Sequence, residues 1–218
     1  MSPPAVPMAV TILAAGLGRR LGQRPKAALQ IGGTSLLERL IGALRGAGLQ
    51  HISAVIGPYA ETLLPIAQHC GAHTLQHDQP DTSLIESQRR ALQAHVAQCE
   101  GHDLLIVLAD LPWLSSPHIQ PLLDAWQQRP DTIHAQMPIV DGVRGHPLIL
   151  TWQAVQQVLA TPAHLGIRDW LAQHPDLIQA IPTDQQAHVA DLDTPSDVTA
   201  LQAHCHPTPV SWPAPWDH

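Results

Sequence analysis

Residues 9–29 read Ala-Val-Thr-Ile-Leu-Ala-Ala-Gly-Leu-Gly-Arg-Arg-Leu-Gly-Gln-Arg-Pro-Lys-Ala-Ala-Leu. The apolar run from Met8 to Ala15 contains the β-branched residues Val10, Thr11 and Ile12. So short and so apolar a run predicts a strand buried on both faces. Gly16, Gly18 and Gly22 interrupt it, and the cations Arg19, Arg20, Arg24 and Lys26 follow. Glycines let the backbone turn tightly and bring its N–H groups against a phosphate, and nearby arginine and lysine add charge where a polyphosphate would lie. Two better-known loops are excluded. The gap from Gly18 to Gly22 is one residue too long for G-x-G-x-x-G, and Lys26 lies between Pro25 and Ala27, not in Gly-Lys-Ser/Thr.

A second apolar run, Asp103 to Ala109, ends in Asp110-Leu111-Pro112. Between the two runs the chain alternates. Helical spacing of Leu36, Leu37, Leu40, Ile41 and Leu44 predicts a helix capped by Thr34 and ended by Gly46 to Gly48. A strand is expected at 51–56, a helix at 58–70, a strand at 73–76 and a helix at 83–98, with Leu84, Ile85, Leu92 and Val96 on one side. Beyond Asp110 the pattern predicts a helix from Ser115 to about Gln128 and a strand from Thr132 to Pro138. A turn at Asp141-Gly142 then leads through Arg144-Gly145-His146-Pro147 into a strand. Helices at 152–160 and 167–174, a strand at 178–181 and a last helix ending near Ala203 complete the series. Such alternation means βαβ units, hence an α/β three-layer sandwich with a mostly parallel sheet. Ligands bind beyond the carboxyl ends of strands in such sheets. Asp110 is therefore expected on the edge that carries the glycine loop, with the strands at 9–14 and 104–109 adjacent. One domain is expected over residues 1–205, followed by an irregular Pro-rich tail at 206–218, docked through Trp212 and Trp216.

The chain has 218 residues, 44% of them hydrophobic, and a formal charge of −7. The acidic balance argues against nonspecific nucleic-acid binding. No apolar run approaches the roughly 18 residues of a membrane span, and the first residues lack the cationic start of a signal peptide. Cys70, Cys99 and Cys205 show no C-x-x-C spacing, which predicts free thiols and a cytoplasmic protein. The 15 histidines lie mostly among glutamines and are expected to be solvated; His204 and His206 beside Cys205 offer adventitious metal binding at most.

Four segments carry a family resemblance. Ala14, Ala15, Gly16, Gly18, Arg20, Gly22, Pro25 and Lys26 fill A-A-G-x-G-x-R-x-G-x-x-P-K. Asp110-Leu111-Pro112 fits Asp-x-Pro, Arg144-Gly145-His146-Pro147 fits R-G-H-P, and Asp191 to Asp197 fits D-x-D-T-P-x-D. In this order they resemble the MobA-like nucleotidyltransferases, and most closely the molybdenum cofactor cytidylyltransferases. The resemblance implies the Rossmann-like nucleotide-diphospho-sugar transferase fold. It also implies transfer of CMP from CTP to a phosphorylated acceptor such as molybdopterin, with release of pyrophosphate.

By the same resemblance, Leu13, Ala14, Ala15, Gly16, Gly18 and Ser87 contact the nucleotide, Lys26 reaches the α-phosphate and Arg20 holds the departing phosphates. Gly145 and His146 face the acceptor, and the resemblance implies a molybdoenzyme-maturation partner. Mg2+ is the implied cofactor, held by Asp110 and Asp193. Attack on a phosphate crowds negative charge, which a bridging divalent ion relieves. Two bare carboxylates about 4 Å apart repel by roughly 4 kcal/mol at an effective dielectric of 20.

Blander readings stand beside these. Asp193 could cap the last helix, His146 could be a satisfied turn residue, and Arg19 and Arg24 could be plain solvated charge. Residues 81–92 lack the glycine-rich turn of the family's relatives. Rival activities are guanylyl transfer, sugar- or polyol-phosphate nucleotidyl transfer, and nucleotide binding without catalysis.

Overall fold

The computed structural model describes residues 7–77 and 83–217. Its strands are β1 (Met8–Ala14), β2 (Gln30–Ile31), β3 (Thr34–Ser35), β4 (His51–Ile56), β5 (His73–Gln76), β6 (Asp103–Leu108), β7 (Ala135–Val140), β8 (Val143–Arg144), β9 (Leu148–Leu150), β10 (Ile178–Pro182) and β11 (Val210–Ser211). Its α-helices are α1 (Leu36–Gly46), α2 (Ala60–His69), α3 (Leu84–Gln98), α4 (Ser116–Gln127), α5 (Trp152–Ala160), α6 (Ile167–Gln173) and α7 (Pro195–Cys205).

The main sheet has the order β10-β7-β9-β6-β1-β4-β5, with β8 on β7. Strand β1 lies between β6 and β4, parallel to both, so Val10 sits opposite Leu105 and Ile52. Along the main path only β9 runs against its neighbours β6 and β7. Strand pleating sends alternate side chains to opposite faces. Val10, Ile12, Ala14, Leu105 and Val107 pack with α1, α2 and α4 on one face. Leu13, Leu104 and Ile106 pack with α3, α5 and α6 on the other. Both faces are covered, which is why these strands read as unbroken apolar runs. A small antiparallel sheet, β11-β2-β3, packs with α7 through Leu29, Ile31, Leu201 and Val210. Among the described residues, no helix is long and apolar enough to cross a membrane.

The expected elements are present, with local differences. The cap of α1 is Ser35 and not Thr34: the helix begins at Leu36, and the Ser35 hydroxyl accepts from the Glu38 N–H at 3.2 Å. Leu84 is exposed and does not join Leu92 in the core; it is the first residue of α3, where Ser83 and Glu86 form a capping box. The strand expected at 132–138 is shifted to β7. Residues 206–217 are not irregular throughout, since β11 pairs with β2. Not every histidine is solvated: His95 and His188 are buried, and a ring nitrogen of each is satisfied by a backbone carbonyl, His102 O at 2.8 Å and His146 O at 2.7 Å. Asp81 and Thr82, in the segment that departs from the resemblance, lie outside the described residues.

Candidate active site

The glycine loop leaves β1 at the carboxyl edge of the sheet. Gly18 adopts a left-handed φ of 56°, and a Cβ there would meet the Arg24 carbonyl oxygen at 2.2 Å. The Gly18 carbonyl accepts from Leu21 N at 2.8 Å and Gln23 N at 3.0 Å, which curls the loop into a single 3₁₀ turn. The Tyr59 hydroxyl donates to the Leu17 carbonyl at 2.7 Å. After Pro25, a second 3₁₀ turn, Lys26–Ala28, buries Ala27 and Ala28 and turns the Lys26 ammonium back under the loop.

Asp110 follows β6, one strand away, and the chain near α7 completes the cluster. Lys26 Nζ donates to Asp110 Oδ2 at 2.9 Å and also bonds Asp193 Oδ1. Arg20 Nη1 reaches the other Asp193 oxygen at 3.2 Å. Burial alone would lower the Lys26 pKa, but the Asp110 and Asp193 carboxylates outweigh it and hold it above 10.5. Asp193 is not the cap of α7. Thr194 fills that place: its hydroxyl accepts from Asp197 N, and the Asp197 carboxylate accepts from Thr194 N at 2.7 Å and Asp193 N at 3.0 Å. That leaves the Asp193 carboxylate free to face Lys26 and Arg20.

The structure thus gathers Lys26, Asp110, Asp193 and Arg20, which are distant in sequence. Leu13, Ala14, Gly16, Lys26 and Asp110 line one small cavity under the loop. Asp191, which motif reading left without a role, joins them: Asp110, Asp191 and Asp193 offer carboxylate oxygens within 4.8 Å of one another. Burial and the two neighbouring carboxylates raise the Asp191 pKa. Asp110 Oδ1 is buried with no hydrogen-bond partner. A buried acceptor left unsatisfied is costly, and hard divalent cations take such oxygens as ligands. The donor set therefore fits a divalent ion, whose charge Lys26 supplies in the nucleotide-free protein.

Gly145 and His146 lie elsewhere on the same edge. Gly145 N donates to Pro138 O at 2.8 Å, His146 N donates to His188 O at 2.9 Å, and the His188 ring bonds His146 O. A Cβ on Gly145 would meet His188 O at 2.8 Å, so the turn closes only around glycine. Burial pushes the His146 pKa down, and its Nδ1 has no partner. Both residues line a separate cavity of about 730 Å³, with Met137, Leu148, Ile167 and Leu171 as apolar lining and Arg144 and Arg168 as its cations. Ser87 stands apart. It is buried, and its hydroxyl bonds Ser83 O at 3.2 Å and His77 Nε2 at 3.1 Å.

Residues 10–178 match the MobA-like NTP transferase domain. The chain belongs to that family. Among relatives of the MobA-like chain, nicotine blue oxidoreductase of Paenarthrobacter nicotinovorans is 29% identical over 189 residues, covering 84% of this chain and 90% of that protein. The bifunctional protein GlmU of Caulobacter vibrioides is 30% identical over 131 residues, which is 57% of this chain but only 27% of GlmU. Among solved structures, Rv0371c from Mycobacterium tuberculosis H37Rv superposes with a TM-score of 0.74 at 19% identity, over 91% of this chain and 99% of that one. A structure of Rv0371c in complex with manganese superposes at 0.68. A cytidylyltransferase from Leptospira borgpetersenii superposes at 0.69 and 17% identity, over 91% of this chain and 85% of that one. These likenesses place the MobA-like chain in the Rossmann-like nucleotidyltransferase fold.

Proposed function

We propose that this nucleotidyltransferase moves CMP from CTP to a phosphorylated acceptor, with molybdopterin as the first candidate, and releases pyrophosphate. The observation that carries the reading is the cluster of Lys26, Asp110, Asp191 and Asp193 at the mouth of the glycine loop. In it, Leu13, Ala14, Ala15, Gly16 and Gly18 present backbone to the nucleotide, and Arg20 moves from Asp193 to the β- and γ-phosphates. Lys26 leaves the carboxylates for the α-phosphate and stabilises the charge that develops there. When bound, Mg2+ supplies charge neutralisation between the phosphates and the carboxylates of Asp110 and Asp193; Asp191 stands beside them. The support for a divalent ion is the unpartnered Asp110 oxygen. A contact from Ser87 to the base or ribose is the assignment the geometry supports least, because the hydroxyl is already bonded.

The acceptor belongs in the cavity beside Gly145 and His146. Among the described residues no carboxylate lines it, although the chain is acidic overall, and among them Arg144 and Arg168 enter no ion pair. An anionic group on an apolar body fits that lining. Pyrophosphate release measured across the four nucleoside triphosphates, with molybdopterin and with sugar and polyol phosphates, tests the reading. Turnover with CTP and a phosphorylated acceptor is expected. Faster turnover with GTP would overturn the base assignment. Pyrophosphate release from no pair would favour a second reading, an oxidoreductase on this frame, which the coverage of nicotine blue oxidoreductase supports and the missing G-x-G-x-x-G loop opposes.

A further inference from the structure

A loop that holds phosphate through backbone N–H groups works only if those groups are already aimed, and this loop is rich in glycine, the residue with the most conformational freedom to lose. Its internal bonds to Gly18 O close one turn but do not fix the loop to the body. Besides the ion pairs of Arg20 and Lys26 with Asp193 and Asp110, two further contacts do. The Tyr59 hydroxyl bonds Leu17 O at 2.7 Å, and the Arg24 guanidinium lies over the Trp212 ring at 5.7 Å. Both trace to residues 206–217. The Tyr59 ring meets Trp216 edge-on at 5.2 Å, and Trp216 Nε1 donates to Thr62 Oγ1 at 3.1 Å, one turn along α2. The segment is itself anchored. Gly32 N donates to Pro209 O at 2.8 Å and β11 pairs with β2; within the segment, Trp216 N donates to Pro213 O at 2.8 Å and closes a turn.

We propose that residues 206–217 form a strap that pre-orders the nucleotide loop, with Trp216 and Tyr59 as positioning residues acting through the Leu17 carbonyl and Trp212 acting through Arg24. Neither the family's motifs nor the carboxylate cluster reaches this segment. Burial raises the Tyr59 pKa above 10.0, so its hydroxyl stays protonated and able to donate. A loop held before the nucleotide arrives loses less entropy on binding, so the strap acts on nucleotide affinity, with transfer from the bound state unchanged. The proposal rests on the loop being a nucleotide site, as argued above.

The test uses the full chain and two readouts. Hydrogen exchange at the amides of Leu17 to Gln23, measured without nucleotide, is expected to quicken about three- to tenfold in Tyr59→Phe and Trp216→Ala, the loss that goes with one hydrogen bond. CTP affinity is expected to weaken by a similar factor with kcat kept. Trp216→Phe, which retains an aromatic edge, is expected to restore most of both. The double variant should lose no more than the larger single loss, since the two residues form one relay. Tyr59→Phe keeps the ring and removes one hydroxyl, so it answers the question even if Trp216→Ala folds poorly. Unchanged exchange in Tyr59→Phe would overturn the strap. Failure of the wild type to bind any nucleoside triphosphate would overturn the nucleotide reading, while the exchange result would still decide the strap.

Discussion

Strand β6 carries a carboxylate at each end, and the two are treated in opposite ways. Asp103, at its start, is buried and bonded through both oxygens: Oδ2 accepts from Trp126 Nε1 at 2.9 Å and Arg129 Nη2 at 3.2 Å, and Oδ1 accepts from Trp152 N at 3.2 Å. The Arg129 guanidinium in turn stacks on Trp126 at 3.7 Å. Asp110, just beyond the other end, has one oxygen on Lys26 and the other buried with nothing. Both are charged groups at the ends of a buried strand. One has both oxygens hydrogen-bonded within the protein and fastens α4 and α5 to the sheet. The other is bonded to Lys26 through one oxygen only and stands beside two further carboxylates, an arrangement that a divalent cation would stabilise further under the proposed function. Asp103 is bonded through both oxygens, whereas Asp110 keeps one oxygen without a partner, which is the feature the proposed metal site rests on.

Four variants sharpen or break that contrast. The largest effect is expected on chemistry. Asp110→Asn keeps the shape and should cut transfer at least about 10²-fold, because a metal that neutralises phosphoryl oxygens is worth several kcal/mol. Its melting temperature should stay close to wild type, as circular dichroism would show. The opposite profile is expected for Asp103→Ala. Removing one partner of a buried ion pair costs about 3–5 kcal/mol, or roughly 6–20 °C in a chain this long. Transfer per folded molecule should be unaffected. Smaller is the effect of Arg144→Met with Arg168→Met, which should raise the acceptor KM about tenfold for loss of charge-assisted bonds, with CTP binding intact by calorimetry.

The smallest expected effect is on pH dependence and belongs to the Asp103 end. Burial holds the His95 pKa below 6.5, so between the two values the unfolded chain binds more protons. Its contribution to stability is complete above pH 6.5 and is lost as pH falls through that window. Urea titrations at descending pH should show stability falling, and His95→Gln should flatten the slope. Equal slopes in both proteins would show that another group carries it.

How far the sequence revealed this follows the same physics. The runs at β1 and β6 were legible because burial on both faces leaves no polar residue to confuse the pattern, and their adjacency followed from the motifs at their ends. Lys26, Asp110 and Asp193 were legible because motif spacing reports backbone geometry close to each residue. Asp191 was in plain view but without a role, since its approach to Asp110 depends on how residues 110 and 192 pair; Leu192 N donates to Asp110 O at 3.1 Å. Whether Asp193 capped α7 could not be decided from Asp193-Thr194, because both types cap helices well. The reverse direction of β9 was hidden in a three-residue strand. The Tyr59–Trp216 contact joins residues that share no motif and lie far apart in the chain, and no local pattern predicts it.

The central claim is that Asp110 and its neighbouring carboxylates hold a divalent ion together with a nucleoside triphosphate. Thermal unfolding with CTP and manganese tests it without knowledge of the acceptor. At ligand near 100 times the dissociation constant, binding adds roughly 2.7 kcal/mol, about 5–10 °C for a chain of this length. Wild type should show that shift with metal and nucleotide together and a smaller one with CTP alone, and Asp110→Asn should lose the metal-dependent part. An Asp110→Asn protein that kept the full metal-dependent shift would contradict the account.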